Sequence, residues 1–570
     1  MKLINVKTRK LEEFFDDAIP KYAILSHTWE HEEVSLQDLQ NLRRAERMKG
    51  YAKIDETCLH AERHKLDYAW VDTCCIDKTS SAELSESINS MYQYYKRATV
   101  CYVYLTDTRQ QRQHRTDFAQ KLEPYLAECR WFTRGWTLQE LLAPSVIQFY
   151  NREWEYLGSK DELVDPLSRI TGISRDIVLG RRHVWQNPVA MRMSWAASRK
   201  TTRSEDMAYC LLGIFDINMP MLYGEGSKAF RRLQEEICKK DCDTSIFACD
   251  SLASTRSDHF DLFASSPAEF SGHGKATAWI SRDGSSTTMT ARGPRLTARN
   301  LFLVQVPGDT DRQKPDAPYA DGVLRKAIVP KEIKLPHRDN GGTIRYVLRL
   351  DIGISTHDCG IFLEKIQTDL LRRDRNLPLA LLPRGTRYEA EYQPEFTILD
   401  GRPAFHRPDS MHLGKDESFH IPFDRRVSIT RIVPRPSWDF CRRLLFAPHV
   451  LAQIQAFQLE VRLGSTSASL WLLFDQRATS TGGIPKVRLL DSQKSRKVDR
   501  LLQSVLRYAK FRPCIWDELE VEGREIEALD DSVVVRINDR QHRIYVAIET
   551  QTVKENGISI RVFAARFHIK

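Results

Sequence analysis

The 570 residues contain no apolar run approaching the roughly 20 residues that span a bilayer. The start, Met1-Lys2-Leu3-Ile4-Asn5-Val6-Lys7, has no hydrophobic signal region. Both absences predict a soluble, cytoplasmic protein without a transmembrane segment. There is also no Walker A phosphate loop, no sequence repeat and no heptad array, which argues against an attached NTPase or a WD-repeat propeller. Net charge is low for the length: 85 Lys and Arg stand against 76 Asp and Glu, a balance of +9. The charges are interspersed, so no nucleic-acid partner is expected. The 12 cysteines form no secreted disulfide framework, since Cys74 and Cys75 are adjacent and others sit in apolar runs such as Val100-Cys101-Tyr102. Neighbouring cysteines rarely close a disulfide without strain, so packed, reduced thiols are expected. Cys238, Cys242 and Cys249 lack a CxxC pair and a clear fourth ligand, so no metal is expected. Gly224-Glu225-Gly226 lacks the third glycine of a dinucleotide fingerprint and predicts a turn before a helix.

What is present is ordinary globular composition, 42% hydrophobic and 28% charged, in a length that suggests about three to four domains. In the first 150 residues, short apolar runs alternate with helical patterns. Tyr22–Leu25, Tyr68–Val71, Val100–Leu105 and Val146–Tyr150 are apolar on both faces, as in a parallel sheet covered by helices on each side. Ile88, Met91, Tyr92 and Tyr95 recur at helical spacing, and Ser80 with Glu83 forms a capping-box signature before them. The order β-α-β-α-β-α-β predicts a doubly wound α/β domain over residues 1–160. Residues 161–250 predict a helical extension, with Phe230, Leu233 and Ile237 on one helix face. Later, apolar residues alternate after Asn340-Gly341-Gly342 and on both sides of Asn556-Gly557, a hairpin signal. The expectation there is one or two β-rich, sandwich-like domains, over 275–480 and, as a second domain or a subdomain, over 487–570, with the division near Gly482-Gly483.

Three strings, in order, carry a family resemblance. They are Tyr22-Ala23-Ile24-Leu25-Ser26-His27-Thr28-Trp29, then Trp70-Val71-Asp72-Thr73-Cys74-Cys75-Ile76-Asp77-Lys78, then Arg130-Trp131-Phe132-Thr133-Arg134-Gly135-Trp136-Thr137-Leu138-Gln139-Glu140-Leu141-Leu142. A fourth runs from Arg203 through Gly213-Ile214-Phe215 to Tyr223-Gly224-Glu225-Gly226. Together they resemble the fungal heterokaryon incompatibility (HET) domain family, with an N-terminus of the HET-D/HET-E type, over residues 1 to about 270. The resemblance implies a self/non-self effector that triggers programmed cell death. It does not extend to the NTPase and propeller that such relatives carry further on, so their ligand-sensing scheme is not transferred.

At a more distant level the same region is similar to TIR domains of innate immunity. There the first strand ends near a Ser-His pair and a later helix opens with Trp and carries Glu four residues on. Ser26-His27 and Trp136…Glu140 occupy the matching places. This similarity implies self-association through the domain as a gate, and NAD as a substrate rather than a prosthetic group. Nicotinamide leaves NAD neutral and needs no general acid, so one carboxylate beside the ribose suffices to stabilise an oxocarbenium-like transition state. Glu140 is the candidate for it, and the enzyme then requires Glu140 ionised in a cleft. The alternative is a surface glutamate in the first turn of a helix, favoured by the dipole. Trp29 is placed to stack on a base or to pack. Asp72 and Asp77 flank a loop after the second strand and suit ribose hydroxyls or loop capping. Arg134 suits a phosphate or a surface salt bridge. Trp136 suits a core anchor or a ligand contact. The alternative function is a non-enzymatic death-signalling module that recruits a protein partner. The sequence names neither that partner nor the trigger.

Overall fold

The computed structural model describes residues 1–274 except 16–17, 110–117, 242 and 250–261. Beyond 274 it describes β-strands with few of their connections. Strands β1 (Lys2–Asn5), β2 (Leu11–Glu13), β3 (Tyr22–His27), β4 (Tyr68–Trp70), β5 (Val100–Tyr104), β6 (Ile147–Tyr150) and β7 (Tyr156–Ser159) form one sheet. Their order is β2-β1-β4-β3-β5-β6-β7. The four expected strands pair in parallel as β4-β3-β5-β6. Three unforeseen strands, β1, β2 and β7, extend the sheet antiparallel at its edges. They are short and half polar, so they lack the continuous apolar run that marks the central strands. Every residue of β3 is buried, because helices cover both faces.

Helices α1 (Leu36–Leu39), α2 (Leu42–Ala45), α3 (Tyr51–Arg63), α4 (Asp72–Cys75), α5 (Ser81–Arg97), α6 (Phe118–Glu128) and α7 (Thr137–Leu142) lie between the strands. In α5 the expected Ile88, Met91, Tyr92 and Tyr95 are the buried stripe. Ser80 caps it by accepting from the Glu83 amide at 3.3 Å. The reciprocal half of the capping box does not form, because the Glu83 carboxylate accepts from the Asp77 amide at 2.9 Å and from Lys2 Nζ at 2.6 Å.

The strand order fixes where a site can lie. From β3 the chain moves to β4 on one side, then crosses back to β5 on the other. The C-terminal ends of β3 and β5 therefore flank the crevice at which an open α/β sheet exposes a ligand site.

The extension contains α8 (Val164–Thr171), α9 (Arg175–Val178), α10 (Val189–Ser194), α11 (Asp206–Tyr209), α12 (Leu212–Phe215) and α13 (Lys228–Lys240). Helix α12 lies against α5 so closely that a Cβ on Gly213 would sit 2.1 Å from Tyr92 Cβ. The extension continues past 250: the Gln234 side chain donates to the Ala264 carbonyl and accepts from its amide, at 2.9 and 3.0 Å, and Leu262, Phe263 and Phe270 are buried.

Among the described residues the C-terminal half is β-rich, in sheets of 11, six and four strands. Most pairings are antiparallel, and Arg540–Glu555 and Ile558–Ile569 form a long hairpin with Glu555 opposite Ile558. The six-stranded sheet joins strands before and after the expected break. That break at Gly482-Gly483, and the turns Asn340-Gly341-Gly342 and Asn556-Gly557, lie outside the described residues. The first of these sheets shares one hydrophobic core with the N-terminal region. Strands of the other two build a second.

Candidate functional site

Ser26 and His27 end β3, Asp72 follows β4, and Glu140 lies in the first turn of α7. Helix α7 reaches β3 because the loop before it is held down on both sides. Gly135 passes so close to the extension that a Cβ there would lie 2.5 Å from Thr201 Cγ2. The buried Arg199 of the extension donates to the Arg134 carbonyl at 2.8 Å and to Thr137 Oγ1 at 2.9 Å.

The Ser26 hydroxyl is fully buried and donates to Glu140 Oε2. It accepts from Trp131 Nε1 at 2.7 Å. Tyr95, whose hydroxyl lies 3.1 Å from the Leu25 carbonyl, is within hydrogen-bonding reach of the same carboxyl. Glu140 is only 8% exposed, which excludes the surface-glutamate alternative. Burial pushes its carboxyl up to about 8, and the Asp72 carboxylate adds to the push. The Ser26 and Tyr95 hydroxyls and the Arg199 guanidinium oppose it without cancelling it. At neutral pH this group holds its proton, contrary to the expectation of an ionised carboxylate in an open cleft. The reason is desolvation, which sequence spacing does not reveal.

Next to this core lies a layer of ionisable side chains in which His27 and Lys53 are themselves buried. The imidazole of His27 lies between two carboxylates, Nε2 at 3.7 Å from Glu33 Oε2 and Nδ1 at 3.8 Å from Asp72 Oδ1. Lys53 donates to Glu33 and, at 3.3 Å, to the Thr28 carbonyl. Burial raises the Glu33 carboxyl, but His27 and Lys53 outweigh it and bring the group to about 2. Trp29 donates through Nε1 to Asp72 Oδ2 at 2.8 Å, and Lys78 Nζ stands 3.7 Å from the centre of its ring. The indole is 49% exposed, so it keeps open apolar surface at the rim.

Ser26, His27, Trp29, Asp72 and Glu140 are thus brought together. The remaining candidates bond elsewhere. Asp77 accepts from the Thr79 amide and hydroxyl at 2.9 and 2.6 Å and from Gln37 at 2.9 Å. Arg134 reaches Thr202 Oγ1 at 3.3 Å. Trp136 is half-buried against the core beside Asp206. Trp131, Glu33, Lys53, Tyr95 and Arg199 were not singled out by sequence as site residues. Trp131 carried a signal in its place in the string that holds Glu140, and Tyr95 only as part of the buried stripe of α5. Cys74 and Cys75 are buried free thiols, and Gly224-Glu225-Gly226 is a turn whose two glycine amides donate to the Glu205 carboxylate at 2.8 and 3.0 Å.

Residues 22–124 match the family model described as heterokaryon incompatibility protein (HET). The matched residues lie in this α/β sheet domain, and Glu140 follows them. A stretch of 226 residues is 46% identical to the vegetative incompatibility protein HET-E-1 of Podospora anserina. It covers 39% of this chain and 16% of that protein. No solved structure matches the chain. Among the described residues no helix is long and apolar enough to cross a membrane.

Proposed function

We propose that this chain is an effector of fungal heterokaryon incompatibility whose HET domain triggers cell death as an NAD glycohydrolase. The observation that carries the reading is the Ser26–Glu140 hydrogen bond at the C-terminal end of a central strand, beside the switch crevice where doubly wound sheets take nucleotides. In the proposed reaction the C1′–N bond of the nicotinamide riboside breaks and its electron pair stays on the nicotinamide nitrogen. Glu140, ionised, stabilises the cationic sugar, and water adds to C1′ and releases a proton. The carboxyl that holds a proton at rest loses it more readily beside the pyridinium cation, because a nearby opposite charge favours the ionised form. Trp29 is placed to stack on the base, and Asp72 to accept from ribose while holding the Trp29 ring. Burial of Glu140 keeps the resting protein silent, and self-association of HET domains, restrained by the β-rich half, is the proposed gate.

That burial also favours a second reading. A protonated glutamic acid bonded to Ser26, near Arg199, is what a structural link between α7 and the sheet requires. The domain would then act by recruiting a death-signalling partner through its surface. Incubating the purified chain with NAD separates the two. The enzyme releases nicotinamide and ADP-ribose in equal amounts. A preparation that kills on expression yet releases none, alone or assembled, leaves the recruitment module as the account.

A further inference from the structure

The crevice between β3 and β5 holds a cation that the proposed reaction does not use. Arg130 opens the 3-10 turn Arg130–Thr133. Its Nε donates to Asp107 Oδ1 at 2.9 Å and its backbone amide to Asp107 Oδ2 at 2.8 Å. Its Nη2 donates to Glu30 Oε1 and to Thr106 Oγ1, both at 3.2 Å. Glu30 follows β3, and Thr106 and Asp107 follow β5, so one guanidinium spans the mouth of the crevice. Beneath it the Thr28 and Thr106 hydroxyls are 3.4 Å apart. The Arg130 side chain is 53% exposed and the Glu30 side chain 44%. Among the described residues Arg130 Nη1 donates to no group.

The two carboxylates hold Arg130 differently. Asp107 binds both its side chain and its backbone and so fixes its place. Glu30 contributes one exposed ion pair, the kind that water and salt readily replace. A phosphate offers the guanidinium two oxygens in a matching geometry and is the stronger partner. The residue after Arg130 is Trp131, which donates to Ser26, the residue bonded to Glu140. A ligand held by Arg130 therefore rests on the turn that positions the carboxyl. The exposed Trp29 ring is the neighbour of Glu30, so a base platform adjoins the clasp.

We infer that Arg130 is the phosphate-binding residue of the HET site, exchanging Glu30 for a phosphate of a nucleotide while Asp107 holds it in place and the Thr106 hydroxyl adds a second donor. The choice of ligand rests on the proposed NAD reading; the geometry of the clasp does not. The test is calorimetric binding to the full chain of ADP-ribose, which carries a pyrophosphate, and of adenosine, which carries none. Arg130→Gln weakens ADP-ribose by roughly 10–100-fold, the range for loss of a charge-assisted hydrogen bond, and leaves adenosine unchanged. Glu30→Gln frees the guanidinium and leaves ADP-ribose bound as tightly or more tightly. The inference is overturned if wild type does not bind ADP-ribose, if Arg130→Gln binds it like wild type, or if Glu30→Gln weakens it. Nicotinamide release from NAD, measured on the same samples, keeps the two ideas apart. Arg130-dependent binding without release removes the hydrolase and leaves the phosphate site. Release with an unchanged KM in Arg130→Gln does the reverse.

Discussion

Glu140 holds a proton because it is taken out of water with too little positive charge to compensate, and that has a consequence for stability. Its carboxyl titrates near 8 in the folded chain against 4.5 for the ordinary group. Between those values the folded state binds a proton that the unfolded state lacks. Its contribution is therefore full below about pH 4.5, is lost as pH rises, and is gone above about 8. At 1.36 kcal/mol per unit, the whole shift amounts to at most about 5 kcal/mol. Glu140→Gln has no such proton. The stability of the parent minus that of Glu140→Gln should fall steadily from about pH 5 to about pH 8 in urea titrations. A difference that stays flat across this range would mean that the carboxyl is solvated. For catalysis the sign is opposite: a reaction that needs the carboxylate gains rate as pH rises towards 8.

At the scale of elements, the central strands were legible because burial on both faces demands unbroken apolar runs, as in Val100-Cys101-Tyr102-Val103. Helix α5 was legible because its buried positions recur every three to four residues. The edge strands were not, since Lys2-Leu3-Ile4-Asn5 and Leu11-Glu12-Glu13 mix polar and apolar residues without a long alternation. In the site, Ser26, Asp72 and Glu140 were legible from their motif strings. Glu33, Lys53 and Arg199 were not, because each reaches the site from a separate helix or loop and no spacing links them to His27 or Glu140. The join between α12 and α5 was also invisible in the sequence, yet it locks the extension to the sheet domain. Gly213→Ala places a methyl group within 2.1 Å of Tyr92 Cβ, and backbone must shift to admit it. Overpacking of this kind typically costs about 1–3 kcal/mol. The variant should melt several degrees below the parent in a thermal scan, and an unchanged melting temperature would show that the two helices are not in firm contact.

At the scale of the molecule, the β-rich half is not a free appendage. Arg373, from the strand Leu370–Arg373, is buried and donates to the Cys249 carbonyl at 2.5 Å and towards Cys249 Sγ at 2.8 Å. This contact joins the 11-stranded sheet to the helical extension, within a shared hydrophobic core. If the β-rich half restrains the effector, loosening this join relaxes the restraint while leaving the HET domain intact. Arg373→Gln in the full chain should therefore kill a fungal host more readily than the parent at equal protein level. Equal or lower killing by a folded variant would place the restraint elsewhere or remove it from the account.

Whether the chain kills through the Glu140 carboxylate is decided by the toxicity of Glu140→Gln on expression in a fungal host. Melting of the purified variant is measured alongside. Glutamine preserves size and can still accept from Ser26, so the variant should melt at or above the parent's temperature at neutral pH. Its killing should be lost, since deleting one well-placed electrostatic group typically costs on the order of 10²–10³ in rate. A folded Glu140→Gln protein that kills as efficiently as the parent would contradict that role of the carboxylate.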